Sequence, residues 1–163
     1  MPGGMSGFSL RPASDDDFAS IRKLIRQVGI NPMGLNWKRF VLAMDAEGRM
    51  IGCGQIKIYG DGSRELASIA VVEAWRNRGV ASEIIRHMME DDSGRLFLTC
   101  RAGLGPFYQR FGFRQVTPAE LPPYFRRLSR LVSLFRALHL MPREGLLIMV
   151  WAGRGSWHIP PGR

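Results

Sequence analysis

The chain has 163 residues, of which 45% are hydrophobic and 23% charged, and it carries a formal net charge of +9 at pH 7. This composition describes a globular protein and excludes a disordered one; a single core of this length buries about 70% of the unfolded surface. The longest apolar run, residues 146–152, is far short of a bilayer span, and the first ten residues lack the charged and apolar segments of a secretory leader, so no membrane partner is expected.

In chain order, residues 8–13 (FSLRPA) read as a first strand. Ser14 then caps a helix running to about Gln27. Asp15, Asp16 and Asp17 favour the positive end of that helix, which explains the acidic triplet better than metal binding does. The Gly/Pro/Asn-rich stretch VGINPMGLNW is a connection. RFVLAMD, the turn AEGR and MIGCGQIKIY form a hairpin, and GDGS turns into the strand RELASIAVV. After RNRGVA, the residues Val80, Ala81, Ile84, Ile85 and Met88 recur at helical spacing. RLFLTC is a strand, GPFYQRFG a short helix closed by Gly112, and FRQV a strand. LPPYFRRLSRLVSLFRALHL is a basic helix, GLLIMVWAG a last strand, and 154–163 an irregular tail. No repeat or second-domain boundary is visible, so the expectation is one domain over 1–163 with its core at about 8–153. The order β-α-β-β-β-α-β-α-β-α-β predicts an α/β protein with a central mixed sheet of about seven strands flanked by helices, parallel near its middle.

Cys53 and Cys100 form no CxxC pair, and no Cys/His spacing suggests zinc; both read as buried thiols of a reducing cytoplasm, with no metal expected. His87, His139 and His158 have no partners at informative spacing and read as structural or surface residues. Within the basic helix, Tyr124, Leu128, Leu131, Val132, Phe135 and Leu138 make an apolar stripe, while Arg126, Arg127, Arg130 and Arg136 largely line another side. The favoured reading is a helix packed on the domain with a solvated face. A lid over an acceptor site, a homodimer contact and a nucleic-acid patch are the others.

The positive charge favours an anionic partner, and phosphate loops are the first place to look. GxxxxGK[ST] does not occur, and GxGxxG fails at GLGPFY, where Tyr108 stands at the third glycine. ATP and dinucleotides therefore lack support. At Arg76–Ala81 a strand hands over to a helix whose first N–H groups point outward at the positive end of the helix dipole, a site suited to phosphate. Gly79 permits φ > 0 or a close backbone approach, and Arg76 and Arg78 add charge. The plain alternative is a solvated basic turn.

These residues resemble the GNAT family of N-acetyltransferases, which bind acetyl-coenzyme A. Its [QR]xxGx[GA] signature stands here as Arg76-Asn77-Arg78-Gly79-Val80-Ala81, after the strand LASIAVV. A second signature, an aromatic–Tyr pair leading to GF, stands as FYQRFGF, Phe107 to Phe113. Together, with an apolar strand between them, they are specific, and the likeness covers Phe8 to Gly153. The resemblance implies acetyl-CoA as co-substrate, with backbone N–H groups of Arg76, Asn77, Arg78, Gly79, Val80, Ala81 and Ser82 around its pyrophosphate. It also implies that Ile69, Ala70 and Val71 pair with the pantetheine arm beside a splayed neighbouring strand, and that an N–H near Val71 polarises the thioester carbonyl. Where many relatives have Asn seven residues before the tyrosine, this chain has Arg101, which pairs with a phosphate or points into solvent.

Acyl transfer to an amine poses two proton problems. At pH 7, deprotonating a lysine-like amine of pKa ~10.4 costs ~4.6 kcal/mol, against ~1.4 kcal/mol for an α-amino group of pKa ~8. Either cost gives a base a purpose. Glu65 is the candidate, because its place eleven residues before Arg76 is similar to that of the catalytic glutamate of histone-acetylating relatives. The alternative is a strand-end charge paired with Arg64 or another cation. Tyr108 is the candidate acid for the departing thiolate, the alternative being a core aromatic. The expectation is an N-acetyltransferase working by direct attack in a ternary complex on a small-molecule or peptide amine. Two other readings stand behind it: a non-catalytic acetyl-CoA-binding module, and, on charge alone, a nucleic-acid binder without an RNA-binding signature. The positive charge favours a neutral or acidic acceptor such as an amino acid.

Overall fold

The computed structural model describes residues 7–90, 94–138 and 145–153. The expected irregular tail, His139 and His158 lie outside those residues. The strands are β1 (Phe8–Pro12), β2 (Phe40–Asp45), β3 (Met50–Ile58), β4 (Arg64–Val71), β5 (Leu96–Arg101), β6 (Arg114–Gln115) and β7 (Leu146–Trp151). The helices are α1 (Phe18–Val28), α2 (Val80–Glu90), α3 (Gly105–Gln109) and α4 (Pro123–Ala137), joined in places by single 3-10 turns. The seven strands follow the sheet order β1-β2-β3-β4-β5-β7-β6. β4 and β5 pair in parallel at Glu65↔Phe97, while the β1/β2, β2/β3, β5/β7 and β6/β7 pairs are antiparallel. The mixed sheet expected from the element order is therefore present. The chain divides into two compact units, one of residues 7–57 and 66–90, the other of 58–65, 94–138 and 145–153 among those described.

In the first unit, the capping falls to Ser14 and Asp17 alone, on a short turn that precedes α1. Ser14 and Asp17 form a capping box over the turn Asp15–Asp17, and Asp17 also takes a two-pronged 2.8 Å contact from Arg11. That guanidinium holds the Asp17 carboxyl well below the usual carboxylate range. α1 follows and stops at Gly29, whose φ of +77° supplies the left-handed cap. Ile21, Leu24 and Ile25 from α1 pack with Phe40, Leu42, Cys53 and Ala70 into one core.

Two glycines set how closely α2 lies on β3. A Cβ at Gly54 would sit 2.6 Å from Ile69 Cδ1 and 2.9 Å from both Ile84 Cγ2 and Met88 Cε. One at Gly52 would meet Val80 Cγ1 at 3.0 Å and the Ala70 carbonyl oxygen at 3.1 Å. The helix that carries the candidate phosphate site is thus seated on bare backbone. Gly54→Leu is expected to destabilise the protein by ~1–3 kcal/mol, the usual cost of overpacking, measured as a lower denaturant midpoint at unchanged slope.

In the second unit, Phe97, Leu121, Phe125, Ile148 and Val150 form the core, with Tyr59, Tyr124 and Leu128 packed against it. This corrects the reading of the basic helix. Its anchor is Phe125, fully buried and stacked on Phe97 at 4.9 Å, a residue outside the expected stripe. Beyond Leu128 the stripe faces outward: Leu131, Phe135 and Leu138 are exposed, as is Leu134. The expected strand FRQV contracts to Arg114–Gln115, although the Val116 N–H still donates to the Ile148 carbonyl at 3.2 Å.

Candidate active site

In the first unit, the chain leaves β4, makes the turn Glu73–Trp75 and reaches α2 through residues 76–79. Asn77 and Gly79 both lie in the left-handed region, at φ +60° and +81°. Asn is among the few non-glycine residues that accept this conformation readily. The two positions turn the backbone sharply into α2. The Gly79 carbonyl accepts the first intrahelical bond, from the Glu83 N–H at 3.0 Å. The N–H groups of Val80, Ala81 and Ser82 therefore precede any i−4 acceptor within the helix and lie at its positive end. No atom lies within 4 Å of a Cβ built at Gly79, so the space beside the turn is open.

The side chains of this segment divide their roles. Val80 and Ser82 are buried, and only their backbone is available to a ligand. Arg76 Nε donates to the Val71 carbonyl at 3.3 Å, clipping the turn to the end of β4. The Arg78 guanidinium lies 5.3 Å from the Trp75 ring centroid, an attraction of the cation to the ring face.

Just upstream, β4 carries a feature that pattern reading misses. Ser68 has φ +58° inside the strand, a conformation that costs a non-glycine residue ~1–2 kcal/mol. Its hydroxyl accepts from Gln55 Nε2 at 3.0 Å, and Gln55 is fully buried. The same Gln55 amide accepts the Asn36 N–H at 3.4 Å, tying the loop before β2 to the strand that holds Ile69, Ala70 and Val71. A polar residue alternating with glycines in β3 is the one sequence signal for this arrangement.

In the second unit, Glu65 is 8% exposed and accepts a hydrogen bond from the Tyr59 hydroxyl. Its partner is thus a phenol, where the sequence offered Arg64 or another cation. Burial and the bond to Glu65 push the Tyr59 hydroxyl far above its ordinary value, so it stays protonated and donating. Tyr59 stacks on Tyr124 with centroids 3.6 Å apart. Tyr108, on α3, packs edge-on against Phe107 and Phe113, and its hydroxyl has no hydrogen-bond partner among the described residues. Burial, with a smaller contribution from Cys100, pushes its pKa up to about 12. Arg101 ends β5 with an exposed side chain. Glu65, Tyr108 and Arg101 therefore belong to the second unit, and the turn at 76–82 with Ile69–Val71 to the first.

The thiols are inert packing. Burial pushes Cys53 up to about 12 and raises Cys100 as well. Among the described residues no group of three or more His, Cys, Asp or Glu could hold a metal, and no helix is long and apolar enough to cross a membrane.

The family model described as Acetyltransferase (GNAT) domain matches residues 36–115. Just under half of the chain is thus similar to a GNAT acetyltransferase domain. The matched segment contains every candidate residue named above and ends before α4. No curated protein matches the chain by sequence. Among solved structures, N-acetylglutamate synthase from Neisseria gonorrhoeae, complexed with coenzyme A and L-arginine, is 19% identical with a TM-score of 0.70; the match covers 91% of this chain and 34% of that one. This chain thus spans about a third of that protein's length. Rv2747 from Mycobacterium tuberculosis, complexed with CoA, is 19% identical with a TM-score of 0.67, over 88% and 98% of the two chains. NAA60 from Arabidopsis thaliana, complexed with a bisubstrate analogue, is 18% identical with a TM-score of 0.61, over 91% and 99%. At these identities the likeness shows the GNAT fold and nothing finer.

Proposed function

We propose that this protein transfers an acetyl group from acetyl-CoA to a primary amine by direct attack in a ternary complex, in the cytoplasm. The observation that carries the reading is the sharp turn at Asn77 and Gly79, which opens free N–H groups at the start of α2 inside the segment matched by the family. The residues fit the coenzyme. Backbone N–H groups at 79–82 receive the pyrophosphate, the open space at Gly79 admits it, and Arg78 adds positive charge nearby. The exposed Arg101 is a further phosphate partner. Ile69 to Val71 offer backbone donors and acceptors to the pantetheine amides.

Glu65 is the proton acceptor. As the amine nitrogen attacks the thioester carbonyl carbon, its proton passes to the carboxylate, directly or through water, and the carbon–sulfur bond breaks. A backbone N–H near Val71 stabilises the oxyanion. Tyr108 meets the departing sulfur. Full transfer from a phenol of pKa about 12 to a thiolate of pKa ~8.5 is uphill by ~4.8 kcal/mol. Its larger contribution is therefore a hydrogen bond that strengthens as negative charge develops on sulfur.

The acetyl-CoA-binding module remains as a second reading, because the Glu65 carboxylate is already engaged by Tyr59. An amine-library screen for thiol release from acetyl-CoA separates the two. Turnover with any amine supports the enzyme, whereas coenzyme binding without turnover supports the module. Tyr108→Phe is expected to lower kcat about tenfold or more with little change in coenzyme affinity, as befits a bond made in the transition state. An unchanged kcat, with chemistry shown to be rate-limiting, assigns Tyr108 to packing.

A further inference from the structure

Within the second unit a pocket of about 350 Å³ is lined by Tyr59, Gly60, Asp61, Pro123, Tyr124 and Arg127. Its volume falls at the small end of the range for small-molecule sites. Three observations define what it can hold. Its lining is partly aromatic, from Tyr59 and Tyr124, whose rings stack 14° from parallel. Its acid is already engaged. Asp61 Oδ1 accepts the Ser63 N–H at 2.9 Å and the Ser63 hydroxyl at 2.5 Å, and Oδ2 accepts the Tyr124 N–H at 2.8 Å. These bonds hold the Asp61 carboxyl below its ordinary range and tie the turn before β4 to the start of α4.

The remaining formal charge on the pocket wall is the Arg127 guanidinium, which has no ion-pair partner among the described residues. A planar fork of N–H donors is the group suited to a carboxylate. The pocket also communicates with the candidate base, since the Tyr59 ring lines it while the Tyr59 hydroxyl donates to Glu65. α4, which supplies Tyr124 and Arg127, lies outside the segment matched by the family.

We infer that this pocket is the acceptor subsite and that Arg127 selects amines bearing a carboxylate, of amino-acid size. The inference rests on the acetyltransferase reading. Asp61 stays ionised in the same wall, and the Arg127 fork holds the substrate carboxylate against that charge. Tyr59 acts as a positioning residue, with its ring on the pocket and its hydroxyl on Glu65.

The test uses the 163-residue chain with the common L-amino acids and their carboxamides. Thiol release from acetyl-CoA gives KM and kcat, and NMR titration without coenzyme gives direct binding through the ring signals of Tyr59 and Tyr124, which both proteins retain. For wild type, acids are expected to have KM values at least tenfold below their amides. R127Q should erase that difference by raising KM for the acids, while the acetyl-CoA melting shift is retained. R127K, retaining charge without the fork, should restore part of it. Equal KM values for acids and amides, or a preference that survives in R127Q, overturns the inference. If no amine is turned over, the acetyltransferase reading fails by itself. The titration still decides the pocket: binding of amino acids to wild type but not to R127Q sustains a carboxylate site, and binding to neither refutes it.

Discussion

Glu65→Gln should lower turnover by roughly 10²–10⁴-fold, the usual scale of general-base catalysis, while leaving acetyl-CoA binding intact. Glutamine keeps the shape of the side chain and an oxygen that can still accept the Tyr59 hydroxyl, so the buried contact is preserved and only basicity is lost. The protein should therefore fold normally, which circular dichroism and the melting temperature would check. The loss should shrink as pH rises, because a growing share of the acceptor is already neutral and needs no base. A residue that merely holds the acceptor would instead raise KM across the whole pH range. A uniform loss without recovery at high pH removes the base assignment and leaves Glu65 as an anchor.

How Glu65 is held is partly legible in the sequence. The Tyr59 N–H donates to the Ser63 carbonyl at 2.9 Å, so the turn between them closes as a hairpin. Two residues further along the second strand lies Glu65, on the same face as Tyr59 by the alternation of strands, and a diagonal pair of this kind is within reach of a long aromatic. The turn GDGS announces the hairpin, whereas nothing local marks the aromatic before it as the partner of a carboxylate. Arg64 is the more obvious candidate because charge pairs are the usual partners of carboxylates. The strand and helix order is legible because apolar periods of two and of 3.6 residues alternate cleanly, and because Gly29, Gly48 and Gly112 each mark a left-handed position.

Other features have no local sequence signal. Ser68 takes a left-handed conformation that its residue type does not ask for, and only Gln55, thirteen positions earlier, accounts for its hydroxyl. Gly52 and Gly54 look like strand weaknesses until α2 is seen to rest on them. In α4 the helical period is clear, but a period says which residues share a face and not how far a neighbour extends. Phe125 anchors the first turns, and the apolar residues Leu131, Leu134, Phe135 and Leu138 beyond them stand in solvent.

Gly79→Glu tests the coenzyme site with the second large effect expected. A ligand at one hundred times its Kd stabilises the folded state by ~2.7 kcal/mol, which for a chain of this size corresponds to a rise of roughly 5–11 °C in Tm. Wild-type protein should show such a rise with acetyl-CoA and much less with ATP or NAD at the same concentration. The substitution would place a carboxylate beside the N–H groups that begin α2, competing for them and repelling the pyrophosphate, so the rise should vanish. Space is no obstacle, since no atom lies within 4 Å of a Cβ there. The obstacle is φ, at +81°, where any side chain costs ~1–2 kcal/mol. Gly79→Ala carries that same strain without the charge and separates the two causes. If anion exclusion dominates, alanine should lower the starting Tm about as much as glutamate does yet keep most of the coenzyme shift. Loss of the shift in both variants would mean that the turn's conformation matters more than its charge. Retention of the full shift in Gly79→Glu would remove the turn from the coenzyme site altogether, since no pyrophosphate bound to those amides could tolerate a neighbouring carboxylate unaffected.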